Sequence, residues 1–500
     1  MTSLSRRRMS SDLLIYNSLT RKKEPFVPLE SGKVRMYTCG LTVNYLMHIG
    51  HARTYIFWDV VERFLEYLGY DVRHVSNITD ISVDDNILKR VRASGEAFQQ
   101  LTTQHTQDYY QDRYTLGIRN PYTYAIATQH IQEMIELVQQ LLDLGFAYEA
   151  EDGVYFRISK FPQYGQLAGL DPASLKVGAS GRVDKDQYNK EHAGDFVLWK
   201  RAKPGEPFWY SPWGPGRPGW HIECSAMSMK YLGTTLDISG GGEDNLFPHH
   251  ENSIAQSQAA TGKPYVRYWM HVRHLNVGRA KMSKSTGNFL TVREAVEAHG
   301  AATLRLFLLA THYRKPITFD QMEVERKAQK LDRLRQLLTR LRSLTMTPSN
   351  ITEDKSKEAR VVSKSRERFI AALLDDFNTG RAVNHFFGLV NQVYGQLETD
   401  PDFNIATAHA LLNFFGEAGR ILLGDLYIRE ILPKADPIIK SLVELLLSER
   451  ARLRNQKHYQ EADAIRVKLQ EVGFKVTDTK DRTLWWKKSV NQKEKSRDAH

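Results

Sequence analysis

The chain has 500 residues, of which 41% are hydrophobic, 10% aromatic and 25% charged, the make-up of an ordinary globular protein with material for roughly three domains. No uninterrupted apolar run approaches the length of a membrane span, so no membrane partner is expected. A net charge of +11 and a pI near 9.3 point to a polyanionic partner, while only two cysteines, Cys39 and Cys224, argue against a disulfide framework and for a reducing compartment, the cytoplasm.

Met1 to Ser11 carries Arg6, Arg7 and Arg8 among serines, with no acid before Asp12. It reads as a cytosolic lead-in, with organelle import as the alternative. Lys33 to Tyr37 reads as a strand that ends at Thr38-Cys39-Gly40. A loop with His48 and Gly50 follows, then a helix whose apolar positions Ile56, Val60, Val61, Phe64, Leu65 and Leu68 repeat at helical spacing. Arg53, Asp59, Glu62 and Glu66 supply its polar positions, and Asp71 to Ile78 returns as a second strand. Strand, loop, helix and strand make the βαβ unit of a doubly wound parallel sheet, in which ligands bind beyond the carboxyl ends of the strands. Cys39 and His48 belong to that end. His48-Ile-Gly-His51 then opens a helix whose free N–H groups and dipole favour phosphate. Gly50 lets the backbone approach a nucleotide closely, and the imidazoles can donate to phosphate oxygens as charge builds.

Gln129 to Leu144 reads as another helix, with Ile131, Met134, Ile135, Val138, Leu141 and Leu142 on one face and Gly145 as its stop. From Tyr148 to Tyr210 short strands and glycine or proline turns predict an insertion between two halves of the sheet. The second half returns at Gly219-Trp-His-Ile-Glu-Cys224, runs through Leu236 to Ile238 and reaches Gly240-Gly-Gly-Glu-Asp-Asn-Leu-Phe-Pro-His-His250. Glycines such as Gly241 after an apolar strand, with Asp244 just beyond, suit a nucleotide and its ribose hydroxyl, and suit an ordinary glycine turn equally well. Lys281-Met-Ser-Lys-Ser285 sets two lysines among small hydroxyl residues, a loop that can bring Lys281 and Lys284 over a polyphosphate. Alone it would be a solvated basic loop. A chance His-Ile-Gly-His in a chain of this length is on the order of one in a thousand, and the two motifs together leave chance little room.

From Phe319 the pattern is helical. Leu331, Leu334, Leu338 and Leu341 form a stripe that predicts core packing, opposed by a solvated basic face with Arg326, Lys330, Arg333 and Arg340. Ser349 to Arg360 reads as a linker or long loop, followed by helices from Ser365 to Leu374 and Arg381 to Leu397. The end of the chain offers a charged helix, Gly473-Phe-Lys-Val476 and Leu484-Trp-Trp-Lys-Lys488, whose tryptophans either stack bases or anchor a small terminal fold. Cys39 and Cys224 both fall at the ligand end of the sheet, near His249 and His250. Two buried structural cysteines are the plain reading, yet Cys2His with a vacant fourth position is also an arrangement for catalytic zinc. Such a site selects thiolate over hydroxyl, because soft sulfur outcompetes a hard, weakly acidic alcohol.

Taken together, the motifs resemble the class I cysteinyl-tRNA synthetases over nearly the whole chain. The resemblance is carried by Tyr37-Thr-Cys-Gly-Leu-Thr-Val43, His48 to His51, Gly219 to Cys224, Gly240 to Asn252 and Lys281 to Ser285, then by Asp375-Asp-Phe-Asn-Thr379 in the helical domain and Glu461-Ala-Asp-Ala464. It implies an α/β fold: a class I Rossmann-like doubly wound parallel sheet with a small insertion, an all-α anticodon-binding domain and a small C-terminal segment. The corresponding divisions are a lead-in (1–32), a first catalytic half (33–128), the insertion (129–215), a second catalytic half (216–275), a lysine-loop and stem-contact region (276–324), a helical anticodon-binding domain (325–435) and a C-terminal RNA-contacting region (436–500). The insertion is too small for an independent editing domain, which needs on the order of 100 residues.

The activity implied is ATP-dependent conversion of L-cysteine to its adenylate and transfer to the 3′ end of tRNA(Cys), by a monomer. The resemblance assigns catalysis to His48, His51, Lys281 and Lys284, and ATP contacts to His48, Gly50, His51, Gly241, Asp244 and Lys284. Thr79 and Trp220 fall in the amino-acid pocket. One Zn2+ is expected on Cys39, Cys224 and His249, with Mg2+ accompanying ATP. The chain also departs from the family. Ser253 stands where a glutamate usually provides a fourth zinc ligand, so either three protein ligands suffice or Glu251 or His250 substitutes. Ser239 replaces a histidine before the glycines, Asn44 and Tyr45 replace Tyr-Asp, and the run from Thr79 to Asn86 is stretched. Two other readings share these motifs: a cysteine ligase for a small amino sugar, and a non-catalytic RNA-binding paralogue.

Overall fold

In a computed structural model, the described residues are 12–81, 91, 96–170, 194–278, 280–281, 289–345, 357–399, 403–432, 437–472, 474–478 and 483–487. They form two units, one of residues 1–298, 311–319 and 373–378, the other of residues 299–310, 320–372 and 379–500.

The first unit opens with an antiparallel hairpin, β1 (Leu14–Asn17) and β2 (Lys22–Pro25). Then come β3 (Lys33–Thr42), helix α1 (Ile49–Tyr67), β4 (Asp71–Thr79), α2 (Phe98–Thr115), β5 (Thr123–Ile126) and α3 (Ile131–Asp143). Strands β6 (Ala147–Ala150), β7 (Gly153–Phe156), β8 (Phe196–Arg201) and β9 (Gly216–Pro218) make the antiparallel sheet of the insertion. Helix α4 (Trp220–Leu232), β10 (Leu236–Gly242), α5 (Glu251–Thr261) and β11 (Val266–Val272) complete the main sheet. Its five strands run parallel in the order β11-β10-β3-β4-β5. The chain leaves β3 toward β4 and comes back on the other side as β10, so the strand order reverses between β3 and β10. In a doubly wound sheet that crevice is where ligands bind.

Strand β3 continues past Tyr37 to Thr42, with a register irregularity between Thr38 and Leu41. The cause is Gly40: a Cβ there would lie 1.6 Å from the carbonyl oxygen of Asn77, so only glycine lets the two backbones meet. Cys39 lies within this irregularity, where the local change of strand direction re-aims it. Helix α1 is buried nearly all round, and only Glu66 of its four expected polar positions is exposed. The other three are buried because each has a partner: Asp59 accepts from Arg63 at 2.8 Å, Glu62 is 2.8 Å from His74 Nδ1, and Arg53 donates to main-chain carbonyls.

A small sheet follows, with β12 (Leu275–Val277) between β13 (Ala280–Lys281) and β14 (Ile317–Phe319). Helix α6 (Val292–His299) lies between them in sequence. The turn at 375–378, expected in the helical domain, belongs to the first unit. Asp376 explains why: its carboxylate accepts from the Tyr16 N–H at 2.9 Å, the Tyr313 hydroxyl at 2.7 Å and Arg314 Nε at 2.7 Å.

The second unit is helical: α7 (Ala301–Leu309), α8 (Gln321–Thr345), α9 (Lys357–Leu374), α10 (Thr379–Thr399), α11 (Ile405–Leu423), α12 (Pro437–Asn455) and α13 (Tyr459–Glu471), closing with the hairpin β15 (Phe474–Asp478) and β16 (Thr483–Lys487). Leu331, Leu334, Leu338 and Leu341 are all fully buried, as helical spacing predicts. Part of the opposing basic face is structural, since Arg333 donates to Asn391 and Arg340 to the carbonyl of Leu397. The expected linker at 349–360 ends in helix, because α9 begins at Lys357; residues 349–356 lie outside the described residues.

Candidate active site and metal centre

The N-terminus of α1 is closed by its own two histidines. His48 is the cap residue: its Nδ1 accepts from the His51 N–H at 3.2 Å, and His51 Nδ1 accepts in return from the His48 N–H at 3.4 Å. Their rings stack with centroids 3.5 Å apart. This is a capping box built from imidazoles in place of the usual hydroxyl and carboxylate. Its chemical consequence is the tautomer. A nitrogen that accepts carries no proton, so each neutral ring holds its proton on Nε2. Gly50 lies between them in the first turn.

The segment that follows the lysine motif lies beside this cap. Lys281, in β13, pairs with Asn276 of β12. After the motif, the Ile49 N–H donates to the Leu290 carbonyl at 3.1 Å and the Val292 N–H to that of Met47 at 2.9 Å, and Phe289 stands edge-on to the His48 ring at 5.2 Å. Lys284 lies outside the described residues.

Cys39 from β3, Cys224 from α4 and His249 from the turn before α5 converge, with ligand atoms all within 4.8 Å of one another and every residue buried. A hydrogen bond between the thiols holds Cys224 well below the ordinary thiol range, with His249 adding to the effect. The same bond, with burial, pushes Cys39 up. Trp220 stacks on His249 at 4.6 Å, and His249 Nδ1 lies 3.0 Å from His221 Nδ1. On the other side His250 Nε2 is 3.1 Å from Cys39 Sγ, His250 Nδ1 is 2.8 Å from His271 Nε2, and His271 Nδ1 is 2.8 Å from the Ser18 hydroxyl. Burial pulls His221 and His250 well down and His271 to about 4, so these rings are neutral at physiological pH. Two sulfurs and a neutral imidazole form a soft donor set that suits zinc.

Ser253, at the position of the family's glutamate, and Glu251, one of the two residues weighed as a substitute, are both engaged elsewhere. The Ser253 hydroxyl donates to the His249 carbonyl at 2.8 Å. Glu251 accepts the N–H groups of Gly165 at 2.8 Å and of Leu167 and Ala168 at 2.9 Å, which ties it to the insertion. His250 remains beside the cluster through Cys39.

Gly241 lies one residue before the end of β10, next to Cys39: a Cβ on it would stand 3.5 Å from that of Cys39, ordinary contact, and 2.7 Å from the Asn245 amide nitrogen, which a larger residue would displace. Asp244 is half-buried just beyond. Thr79 is buried at the end of β4, accepting from Asn77 at 3.0 Å and donating to Glu223 at 2.8 Å. Sequence reasoning passed over Glu223, His221, His271, Arg53 and Glu243. For Glu223 and His221 a signal existed, since both lie within three residues of Cys224 in the first turn of one helix.

Comparison with known proteins covers most of the chain. The tRNA synthetases class I (C) catalytic domain matches residues 25–329, the DALR domain 368–423 and the Cysteinyl-tRNA ligase anticodon binding domain 436–485. The Cysteine--tRNA ligase of Symbiobacterium thermophilum is 45% identical over 474 residues, 94% of this chain and 98% of that protein. The protein of the same name from Thermococcus onnurineus is 42% identical over 481 residues, 95% and 99% of the two chains. Among solved structures, Mycobacterium tuberculosis methionyl-tRNA synthetase in complex with methionyl-adenylate superposes with a TM-score of 0.59 at 16% identity, over 82% of this chain and 94% of that one, a likeness of fold.

Proposed function

The chain belongs to the class I cysteine--tRNA ligases, and from that membership we propose how its residues divide the work. It is an ATP-dependent enzyme that charges tRNA with cysteine, and neither an amino-sugar ligase nor a non-catalytic paralogue gains support from the comparisons. In the first step the cysteine carboxylate attacks the α-phosphorus of ATP and pyrophosphate leaves. In the second, a hydroxyl of the terminal ribose attacks the adenylate carbonyl and AMP leaves.

On this reading His48 and His51 donate Nε2–H to the phosphates from one side, and Lys281 and Lys284 meet them from the other. The contribution is electrostatic preorganisation: donors already oriented where negative charge builds. The capping box supports it, because Nδ1 of each ring accepts a backbone N–H and the proton of the neutral ring is therefore on Nε2. Gly50, Gly241 and Asp244 line the nucleotide, and Thr79 and Trp220 the amino acid. Cys39, Cys224 and His249 would hold one zinc ion, which would supply an affinity for a thiolate over a hydroxyl. The 3.0 Å contact between His249 Nδ1 and His221 Nδ1 supports the orientation of the ring.

The finer assignments belong to the same proposal: tRNA(Cys) as the acceptor, Mg2+ with ATP, action as a monomer on the family resemblance alone, and a cytoplasmic location. Among the described residues no helix is long and apolar enough to cross a membrane. The observation that supports the site reading is that the segment following the lysine motif meets the histidine-capped end of α1, through Ile49 with Leu290 and Val292 with Met47. Cysteine-dependent exchange of pyrophosphate into ATP, with serine and no amino acid as controls, tests it. Lys281→Ala and Lys284→Ala should each lower that exchange by about 10²-fold with the unfolding transition unchanged. Exchange at the native rate in Lys284→Ala would remove the lysine from this role, and charging of no tRNA would remove tRNA(Cys).

A further inference from the structure

Two residues beyond His51, Arg53 is buried to 2% exposure in the middle of the first unit. Its guanidinium is given over to main-chain oxygens: Nη1 donates to the carbonyl of His274 at 2.7 Å, and Nη2 to those of His312, at 3.4 Å, and Lys315. Burial draws Arg53 down to about 10, opposed by the negative charge of Glu243. Glu243 grips the same corner from the glycine-rich side, accepting from the His274 N–H at 2.9 Å, His274 Nε2 at 2.8 Å and Arg273 Nη1 at 2.6 Å.

The placement of this corner matters more than its burial. His274 stands two residues before Asn276, and Asn276 is the partner of Lys281 across β12 and β13. The His274 carbonyl also accepts from Ile317 at 3.2 Å, which begins β14. A short, rigid line therefore runs from His51 to Arg53, across to His274, along to Asn276 and across to Lys281. The two positively disposed sides of the phosphate site are joined through one forked cation.

We propose that Arg53 is a positioning residue for adenylate formation, fixing the distance from His48 and His51 to the strand that carries Lys281. This rests on the reading that those residues serve the phosphates. Arg53 itself touches neither ATP nor cysteine. A planar fork can hold three carbonyls in one geometry, which a single ammonium on a flexible stem does not reproduce. A displacement of about 1 Å at a reacting centre costs on the order of 10²-fold in rate, so an arginine removed from the chemistry can still govern it.

The test uses Arg53→Lys and Arg53→Met in the full-length, zinc-loaded protein. Arg53→Lys should lower kcat for cysteine-dependent pyrophosphate exchange by about 10- to 10²-fold, with KM for ATP and cysteine within about twofold and the unfolding transition and zinc content of the parent. In a Lys281→Ala background the same change should cost less than about threefold, because the side chain whose placement Arg53 sets is gone. A native kcat in Arg53→Lys, an equal loss in both backgrounds, or a loss matched by a smaller fraction of folded protein would overturn the proposal. Arg53→Met should lose more than Arg53→Lys; should it fail to fold, Arg53→Lys and the double variant decide. If Lys281→Ala alone is silent, the phosphate-site reading falls first and takes this inference with it, an outcome visible before Arg53 is changed.

Discussion

Nδ1 of His48 and of His51 each accepts a backbone N–H, so the helix cap leaves the proton of each neutral ring on Nε2. One pair of side chains thus caps the start of a helix and, on the proposed function, also serves the phosphates, so substitution at either position should weaken both. The thiol cluster is a separate matter. Cys224→Ser exchanges a soft, easily ionised ligand for a hard alcohol, so elemental analysis should find about one zinc per parent chain and little in the variant. Zinc retained in full by Cys224→Ser would place the ion elsewhere. The rarity of thiols in this chain drew attention to Cys39 and Cys224 with His249 and His250 near them, and the family resemblance chose His249 as the third ligand. Neither announced His221 and His271 as neighbours, since residues brought together from α4 and β11 share no sequence pattern.

Elements show the same division. The βαβ unit was legible from periodicity, because apolar residues repeat where a helix must face a sheet. The irregularity in β3 was not, because it depends on how near the Asn77 carbonyl comes to Gly40. Nor were the buried charges of Arg53 and Glu62 in α1, whose partners come from distant segments. At the C-terminus the hairpin β15–β16 is tied to α12 by Asp478, which accepts from Arg450 at 2.8 and 2.6 Å and from Arg454 at 3.1 Å. The Arg450 hydrogen bond is the main cause holding the Asp478 carboxyl at about 2, below its ordinary range. A carboxyl depressed by folding adds stability above its unfolded value near 3.9 that is lost as pH falls toward 2. Asp478→Asn should therefore unfold at lower denaturant than the parent at pH 7, and the two midpoints should converge between about pH 4 and pH 2. A gap that stays constant across that range would show that the ion pair is not its source.

At the scale of the whole molecule, a net charge of +11 meets a polyanion in tRNA but only a small ligand in ATP. Raising salt from about 50 to 200 mM should lower kcat/KM for tRNA in charging by tenfold or more while cysteine-dependent pyrophosphate exchange changes by less than about twofold. Equal sensitivity of both reactions would show that charge steers something other than tRNA. The resemblance expects a helical anticodon-binding domain at 325–435 and an RNA-contacting region at 436–500, beside which stand the DALR match at 368–423 and the anticodon-binding-domain match at 436–485. Helical stripes reveal that a region packs, not what it binds. By itself the sequence determined the class of fold, the reaction and the order of the motifs, because these rest on periodicity and on rare residue combinations that survive without coordinates. Only the tertiary structure decided which ring nitrogens the helix cap holds, which carboxylates are committed elsewhere and how Arg53 ties α1 to the carbonyls of His274, His312 and Lys315. Those depend on distances between segments hundreds of residues apart, and such distances are set by packing.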